Sequence, residues 1–194
     1  GNQLLSHIGI PKEARPYLVK RLGSYCSYCE RRVNNQLAVE HMLPKEHHHD
    51  LKLEWDNFLL ACANCNSTKG SNDLVLDDYY WPDRDNTARA FNYLDDGIIR
   101  VNGDLNDQQK IRAQQTLKLT GLDRIPGHSN LSPFDLRWIE RQKAWDKAQR
   151  SLQRLLKRDS LEMREQIFEC AQTSGFWSIW MAVFANDLDM LHRF

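Results

Sequence analysis

The sequence predicts an α+β fold in which a small core of two strands and a helix precedes a C-terminal helical region. Cysteine pairs of the form Cys-x-x-Cys frame a segment with the order strand, loop, strand, helix. After residue 107, apolar residues recur at helical spacing. The 194 residues are 41% hydrophobic and 27% charged, a composition typical of a globular protein rather than of a disordered chain or a membrane protein.

The paired cysteines predict a structural zinc site. The pairs Cys26/Cys29 and Cys62/Cys65 each span one turn and are separated by 32 residues, which suits one tetrahedral Zn²⁺ with four thiolates. Four thiolates fill the coordination shell of the ion, so no position is left for water or substrate. The alternatives are four buried small hydrophobic residues or two redox pairs. A fifth cysteine, Cys170, lies in a helical stretch. An odd count without a secretory signal argues against disulfides and predicts a cytoplasmic protein.

Turn, strand and helix signals give the order of elements in the core. They predict a helix over 11–22, a strand over 36–40, a strand over 58–61 and a helix over 62–70. The loop between the strands contains His47, His48 and His49. We interpret this triplet as part of a solvated polar loop, with substrate binding or metal binding as the alternatives.

Several polar residues between the cysteine pairs form a recognisable pattern. Glu40 and His41 end the first strand and are followed by Pro44, Asn57 precedes the second pair by five residues, and Asn66 directly follows it. In this order and spacing, residues 20–72 resemble the HNH endonucleases, the zinc-stabilised form of the ββα-metal nucleases. The resemblance implies a treble-clef-like core and an enzyme that hydrolyses the phosphodiester bonds of nucleic acids.

The resemblance also implies a role for four of these residues. His41 would be the general base, Asn57 would brace the loop that orients it, and Glu40 and Asn66 would bind a catalytic Mg²⁺ or Mn²⁺. These residue types suit the chemistry, because a neutral imidazole accepts a proton near neutral pH and a hard cation stabilises charge on the leaving oxygen. The alternative is a non-catalytic zinc module that binds nucleic acid or scaffolds a partner.

The charge distribution excludes a uniformly basic surface, so any nucleic-acid binding must use local patches. The formal net charge is zero, yet residues 108–160 carry 12 basic and 5 acidic side chains, whereas residues 71–107 carry 3 and 9. Basic residues are candidate phosphate contacts, with ordinary solvated charges as the alternative. The predicted contacts are Arg31, Arg32, Lys69, Lys143, Lys147, Arg150 and Arg154.

The remaining chain predicts an extension of the core and several helices. Residues 71–107 are acidic and aromatic, so we expect them to pack against the core through their aromatic side chains, with a strand over 98–101. Helices are predicted over 107–119, 132–158, 160–173 and 176–188. On the long helix, one apolar face is predicted to contain Phe134, Trp138, Trp145, Leu152 and Leu155. This divides the chain into a core over 1–107 and a helical region over 108–194.

A wider resemblance covers nearly the whole chain. The core, the segment from Tyr80 to Asn86 and the helical tail resemble the small HNH subunit of Septu-type antiphage systems, including those linked to retrons. This implies an antiphage effector with an ABC or SMC-like ATPase as partner, or with a retron reverse transcriptase and its RNA–DNA. The density of aromatic residues after Pro133 predicts that the helical region docks the partner, and no segment predicts a membrane span.

Overall fold

The computed structural model describes residues 11–194, so the first ten residues of the predicted core lie outside the described residues. The three longest helices all lie in the second half of the chain. In chain order they are α1 Arg15–Leu22, β1 Ala38–His41, β2 Phe58–Ala61, α2 Ala63–Lys69, α3 Thr87–Ala90, β3 Phe91–Tyr93, β4 Ile99–Val101, α4 Asp107–Thr120, α5 Arg137–Lys157, α6 Leu161–Ser174, α7 Trp177–Val183 and α8 Leu188–Arg193.

Strands β1 and β2 with helix α2 form the predicted ββα core. The two strands are antiparallel, and His41 lies opposite Phe58 at the end of the pair. All four residues of β2 are buried, as its continuous apolar sequence predicts. Helix α2 ends at Gly70, which has a positive φ of 63°. The α+β class and this core are therefore confirmed, although β1 begins two residues later than predicted.

The aromatic segment packs against the core as expected. Trp81 is 1% exposed and lies in a cluster with Met42 and Leu59 of the core. Its ring nitrogen donates a hydrogen bond to the Leu76 carbonyl, so the indole is satisfied in the interior. Strands β3 and β4 form a separate antiparallel pair, which confirms the strand predicted near residue 99.

Helix α5 begins at Arg137, five residues after the predicted start at Ser132. The preceding segment turns at Ser132, whose carbonyl accepts from the Asp135 amide. Phe134 is 87% exposed and therefore does not belong to the apolar face predicted for this helix. The prediction was wrong for Phe134 but right for Leu155, which is buried, and for Trp145 and Leu152, which pack against the buried cluster of the helical region. The buried face of α5 also carries two arginines and small residues, which the prediction left out. This face consists of Arg137, Arg141, Ala144, Ala148, Ser151 and Leu155.

The last predicted helix is divided into α7 and α8. Asp187 begins α8, and its side chain accepts from the Met190 amide as an N-terminal cap. Trp180 and Phe184 are almost fully buried, and Phe194 packs against both rings. Aromatic residues after Pro133 thus supply the helical region's own core, so their density is not by itself a sign of a docking surface. Among the described residues, no helix combines the length and apolar character needed to cross a bilayer.

Candidate metal centre and active site

The four paired cysteines meet at one buried point. Their sulfur atoms all lie within 4.8 Å of one another, and Cys29 Sγ is 3.8 Å from Cys62 Sγ. Thiolates at the corners of a zinc tetrahedron with bonds of about 2.3 Å are separated by about 3.8 Å, whereas a disulfide needs about 2.05 Å. This geometry fits a structural zinc ion, as predicted, and none of the four cysteines is in a disulfide.

Two buried arginines lie near the cysteine cluster, and the sequence motif does not include them. Arg137 Nη1 lies 3.0 Å from Cys65 Sγ, and the same guanidinium pairs with Asp135 at 2.6 Å. Arg141 is 2% exposed and donates to the Gly97 and Leu122 carbonyls, while its Nη1 has no hydrogen-bond partner among the described residues. A buried cation needs nearby negative charge. Four thiolates bound to one Zn²⁺ would supply it.

The helical region also holds the first cysteine pair in place. Glu30 has a positive φ of 59°, and its carboxylate accepts from both the amide and the hydroxyl of Ser178. Its carbonyl accepts from the Phe176 amide. A Cβ at Gly175 would lie 2.5 Å from that carbonyl, so the close approach requires glycine. The start of α7 and the first cysteine turn therefore form one hydrogen-bonded unit.

His41 lies at the end of β1 with one ring nitrogen already engaged. Nε2 is 3.0 Å from the Lys52 carbonyl, which can only accept, so Nε2 carries the proton and Nδ1 is left as the basic nitrogen. The ring edge packs on Phe58, with centroids 5.2 Å apart. Partial burial lowers the pKa of His41, and the Lys52 carbonyl offsets only part of that effect. The imidazole is therefore neutral near pH 7 and can accept a proton at Nδ1.

Asn57 is 5% exposed and ties together the loop that follows His41. Its side-chain oxygen accepts from the Leu43 amide at 2.8 Å, and its side-chain nitrogen donates to the Leu43 carbonyl at 2.9 Å and to the Leu51 carbonyl. The Asn57 carbonyl also accepts from the Met42 amide. The asparagine thus fixes the backbone on both sides of the loop that contains the Lys52 partner of His41.

We expect Asn57→Ala to lower the free energy of unfolding by about 1–3 kcal/mol, because it leaves buried backbone groups of Leu43 without partners. Urea denaturation of the full chain measures this. Asn130→Ala is the matched control, since Asn130 is exposed and should change stability by less than about 0.5 kcal/mol. Equal stability of the Asn57 and Asn130 variants would contradict the bracing role.

Glu40 and Lys69 form a buried ion pair. Lys69 Nζ lies 2.6 Å from Glu40 Oε1, and both side chains are almost fully buried. Tyr28 donates its hydroxyl to Glu40 Oε2, and Lys69 also donates to the His41 carbonyl. Burial raises the pKa of Glu40 although Lys69 opposes the shift. A surface contact between Lys69 and nucleic acid, as predicted from sequence, is not supported, because its ammonium lies inside the core.

One open cavity brings three predicted residues together. Glu40, His41 and Asn66 line a space of about 320 Å³ together with residues of the loops that follow β1 and α2. Asn66 is exposed on the surface of α2 at the edge of this space. Two histidines of the triplet make contacts with the segment after α2: His47 contacts the Ser71 carbonyl, and His48 pairs with Asp73. These contacts fasten the histidine loop to the segment after α2.

The predicted phosphate contacts lie outside this cavity. Arg31 pairs with Glu140 of α5 at 2.8 Å, and Arg32 is exposed beside the end of α6. The exposed side of α5 carries the remaining four, which are Lys143, Lys147, Arg150 and Arg154.

Comparison with known proteins gives matches to this core and to part of the helical region. The HNH endonuclease family matches residues 26–72. The Septu protein PtuB of Bacillus thuringiensis is 34% identical over 89 residues, which cover 41% of this chain and 35% of PtuB. The retron Vc95 HNH endonuclease of Vibrio cholerae serotype O1 biovar El Tor is 26% identical over 127 residues, which cover 60% of each chain.

The chain thus spans about a third of one curated relative and three fifths of the other. The family match begins at Cys26 and takes in all four cysteines, the Glu40–His41 pair and Asn66. The wider similarity to the two relatives is distant. Residues 26–72 form an HNH endonuclease domain, and the chain is a distant homologue of Septu PtuB and the retron Vc95 HNH endonuclease.

Proposed function

We propose that this protein is a metal-dependent endonuclease that hydrolyses phosphodiester bonds in nucleic acids. The observation that carries the proposal is the state of His41 at the cavity. Its Nε2 is committed to the Lys52 carbonyl, its Nδ1 is basic, and it shares the cavity with Glu40 and Asn66. Membership of residues 26–72 in the HNH endonuclease family supports the same activity.

In this proposal His41 activates the attacking water. Nδ1 accepts a proton from the water, while the Nε2 hydrogen bond keeps the ring from rotating and stabilises the positive charge that forms on it. Asn57 acts at a distance, because it holds the loop that carries the Lys52 carbonyl. Packing of the ring on Phe58 restricts its orientation further.

The donor set at the cavity fits a hard divalent cation. Glu40 and Asn66 would hold Mg²⁺ or Mn²⁺, which when bound stabilises negative charge on the leaving oxygen and orients the phosphate. Each Glu40 oxygen accepts one hydrogen bond, from Lys69 or from Tyr28, and keeps a second lone pair for a metal. Such a cation must share the carboxylate with the Lys69 ammonium, which weakens its binding.

That ion pair favours a second candidate function, a non-catalytic zinc module that binds nucleic acid or a partner. In this case Glu40 and Lys69 serve only to stabilise the core, and their charges cancel without a cation. The two functions differ in a direct test. An incubation of the purified chain with labelled DNA and RNA, single-stranded and duplex, in the presence of Mg²⁺ yields shorter products only if the chain is a nuclease.

We further propose that the nuclease is the effector of an antiphage system. Both relatives carry the names of such systems, Septu and a retron. The partner would be an ABC or SMC-like ATPase, or a retron reverse transcriptase with its RNA–DNA. Docking through 108–194 would use exposed apolar side chains rather than the buried tryptophans. Those that the structure exposes include Phe134, Leu156 and Leu188.

A further inference from the structure

A groove lies where the first cysteine turn meets the helical region. Arg31 and Arg32 line one side, Lys143 and Lys147 of α5 line the other, and Thr173 and Ser174 close the end, around a volume of about 350 Å³. We call this the basic groove. The two pairs of cations are more than 100 positions apart in the sequence, so only the fold brings them together. Among the described residues, none lines both the basic groove and the cavity at His41.

Positive charge in the basic groove exceeds the negative charge available to it. Glu140 is the one carboxylate among the described residues that line it, and Arg31 pairs with it at 2.8 Å. Lys147 contacts the Ser174 hydroxyl at 2.9 Å, which leaves its charge uncompensated. Arg32 and Lys143 are exposed. The groove therefore attracts an anion with several separate negative charges.

The positive surface continues beyond the groove along α5. Lys143, Lys147, Arg150 and Arg154 follow one another at spacings of four, three and four residues, and all are exposed. At about 1.5 Å per residue, this row is about 16 Å long. One strand of a nucleic acid duplex presents a phosphate about every 3.4 Å along its axis, so the row spans about five phosphates.

We propose that the basic groove and the adjoining row on α5 bind the sugar–phosphate backbone of a nucleic acid. This deepens the proposed nuclease function, since it names a surface that would hold the substrate away from the cavity. Guanidinium, ammonium and hydroxyl groups are the usual ligands of phosphate oxygens. A protein partner would need an apolar anchor, but Phe176, the large apolar side chain among the lining residues, is 4% exposed.

The test measures binding and not cleavage. The full chain with His41→Ala is titrated into labelled duplex DNA and single-stranded RNA, and the dissociation constant is measured by fluorescence anisotropy at several salt concentrations. Lys143→Gln/Lys147→Gln should weaken binding roughly tenfold and lower the slope of log affinity against log salt by about two. Lys20→Gln/Lys118→Gln, which neutralises two exposed lysines elsewhere, is the matched control.

Unchanged affinity and slope in the groove variant, with the wild-type melting temperature, would overturn the proposal. A loss of equal size in the control variant would overturn it too, because the effect would then be one of net charge. Binding of polyglutamate but of neither nucleic acid would assign the groove to an acidic protein instead. If the nuclease proposal fails instead, the result is different: nucleic acid still binds through the basic groove, but the protein that retains His41 does not cleave it.

Discussion

Replacing Cys29 and Cys62 together by serine is expected to unfold residues 26–72 and to release zinc. Zinc binding by sites of this kind contributes about 10–16 kcal/mol, which matches or exceeds the whole stability of a typical domain. Without the ion, the Arg137 and Arg141 guanidinium groups would lie near four buried thiols, with Asp135 as the one carboxylate paired with either of them among the described residues. Elemental analysis should fall from about one zinc per chain to none, and limited proteolysis should cut within the core.

The control for this experiment is Cys170→Ser. Cys170 lies on α6 among the partly buried residues of the helical cluster, away from the four clustered sulfur atoms. This variant should keep its zinc and its resistance to protease. A protein with both core cysteines replaced that still folds fully, or wild-type protein that folds without zinc, would contradict the structural zinc site.

Replacing His41 by alanine is expected to reduce nucleic-acid cleavage by about 100- to 10,000-fold, the usual contribution of a general base. Lys69 is paired with Glu40, and His47 and His48 contact Ser71 and Asp73, so none of these three groups is placed to replace Nδ1 as the base. Single-turnover cleavage of a labelled substrate measures the loss. His41 is only partly buried, so the melting temperature should change little.

His49→Ala is the matched control for that loss. His49 is exposed and lies in the same loop region, but it does not line the cavity. Its removal should leave the cleavage rate within about twofold of the wild type, since it makes no contact with the His41 ring. Cleavage by the His41 variant at the wild-type rate, or an equal loss in both variants, would contradict the role of His41 as base.

The core could be predicted from sequence because its signals are local. Cysteine spacing, the continuous apolar run of β2 and Gly70 at the end of α2 each specify a few neighbouring residues, and the structure forms all three. The positions of His41 and Asn57 relative to the cysteines are fixed by the same short segment. The buried ion pair of Glu40 could not be predicted from the sequence, because its partner Lys69 is 29 residues away and becomes a neighbour only when α2 packs on β1.

The helical region was predicted less well because its contacts are not local. Helix α5 buries arginines, which a search for apolar periodicity treats as exposed residues. Arg137, Arg141, Ala144 and Ala148 follow one another at spacings of four and three residues, so they form one helical row of basic and small residues. That this row is buried could not be predicted from its own sequence, because the thiolates near it belong to another segment. Phe176 and Gly175 likewise gained their roles from Glu30.

Metal dependence of cleavage tests the central claim most directly. The full chain is treated with EDTA, its zinc content is measured, and cleavage is assayed with no added metal and after addition of Mg²⁺ or Mn²⁺. The proposed mechanism predicts that cleavage stops after chelation and returns with either cation, while about one buried zinc per chain is retained throughout. Full cleavage without any added cation, or no cleavage of either nucleic acid with Mg²⁺ or Mn²⁺ restored, would contradict it.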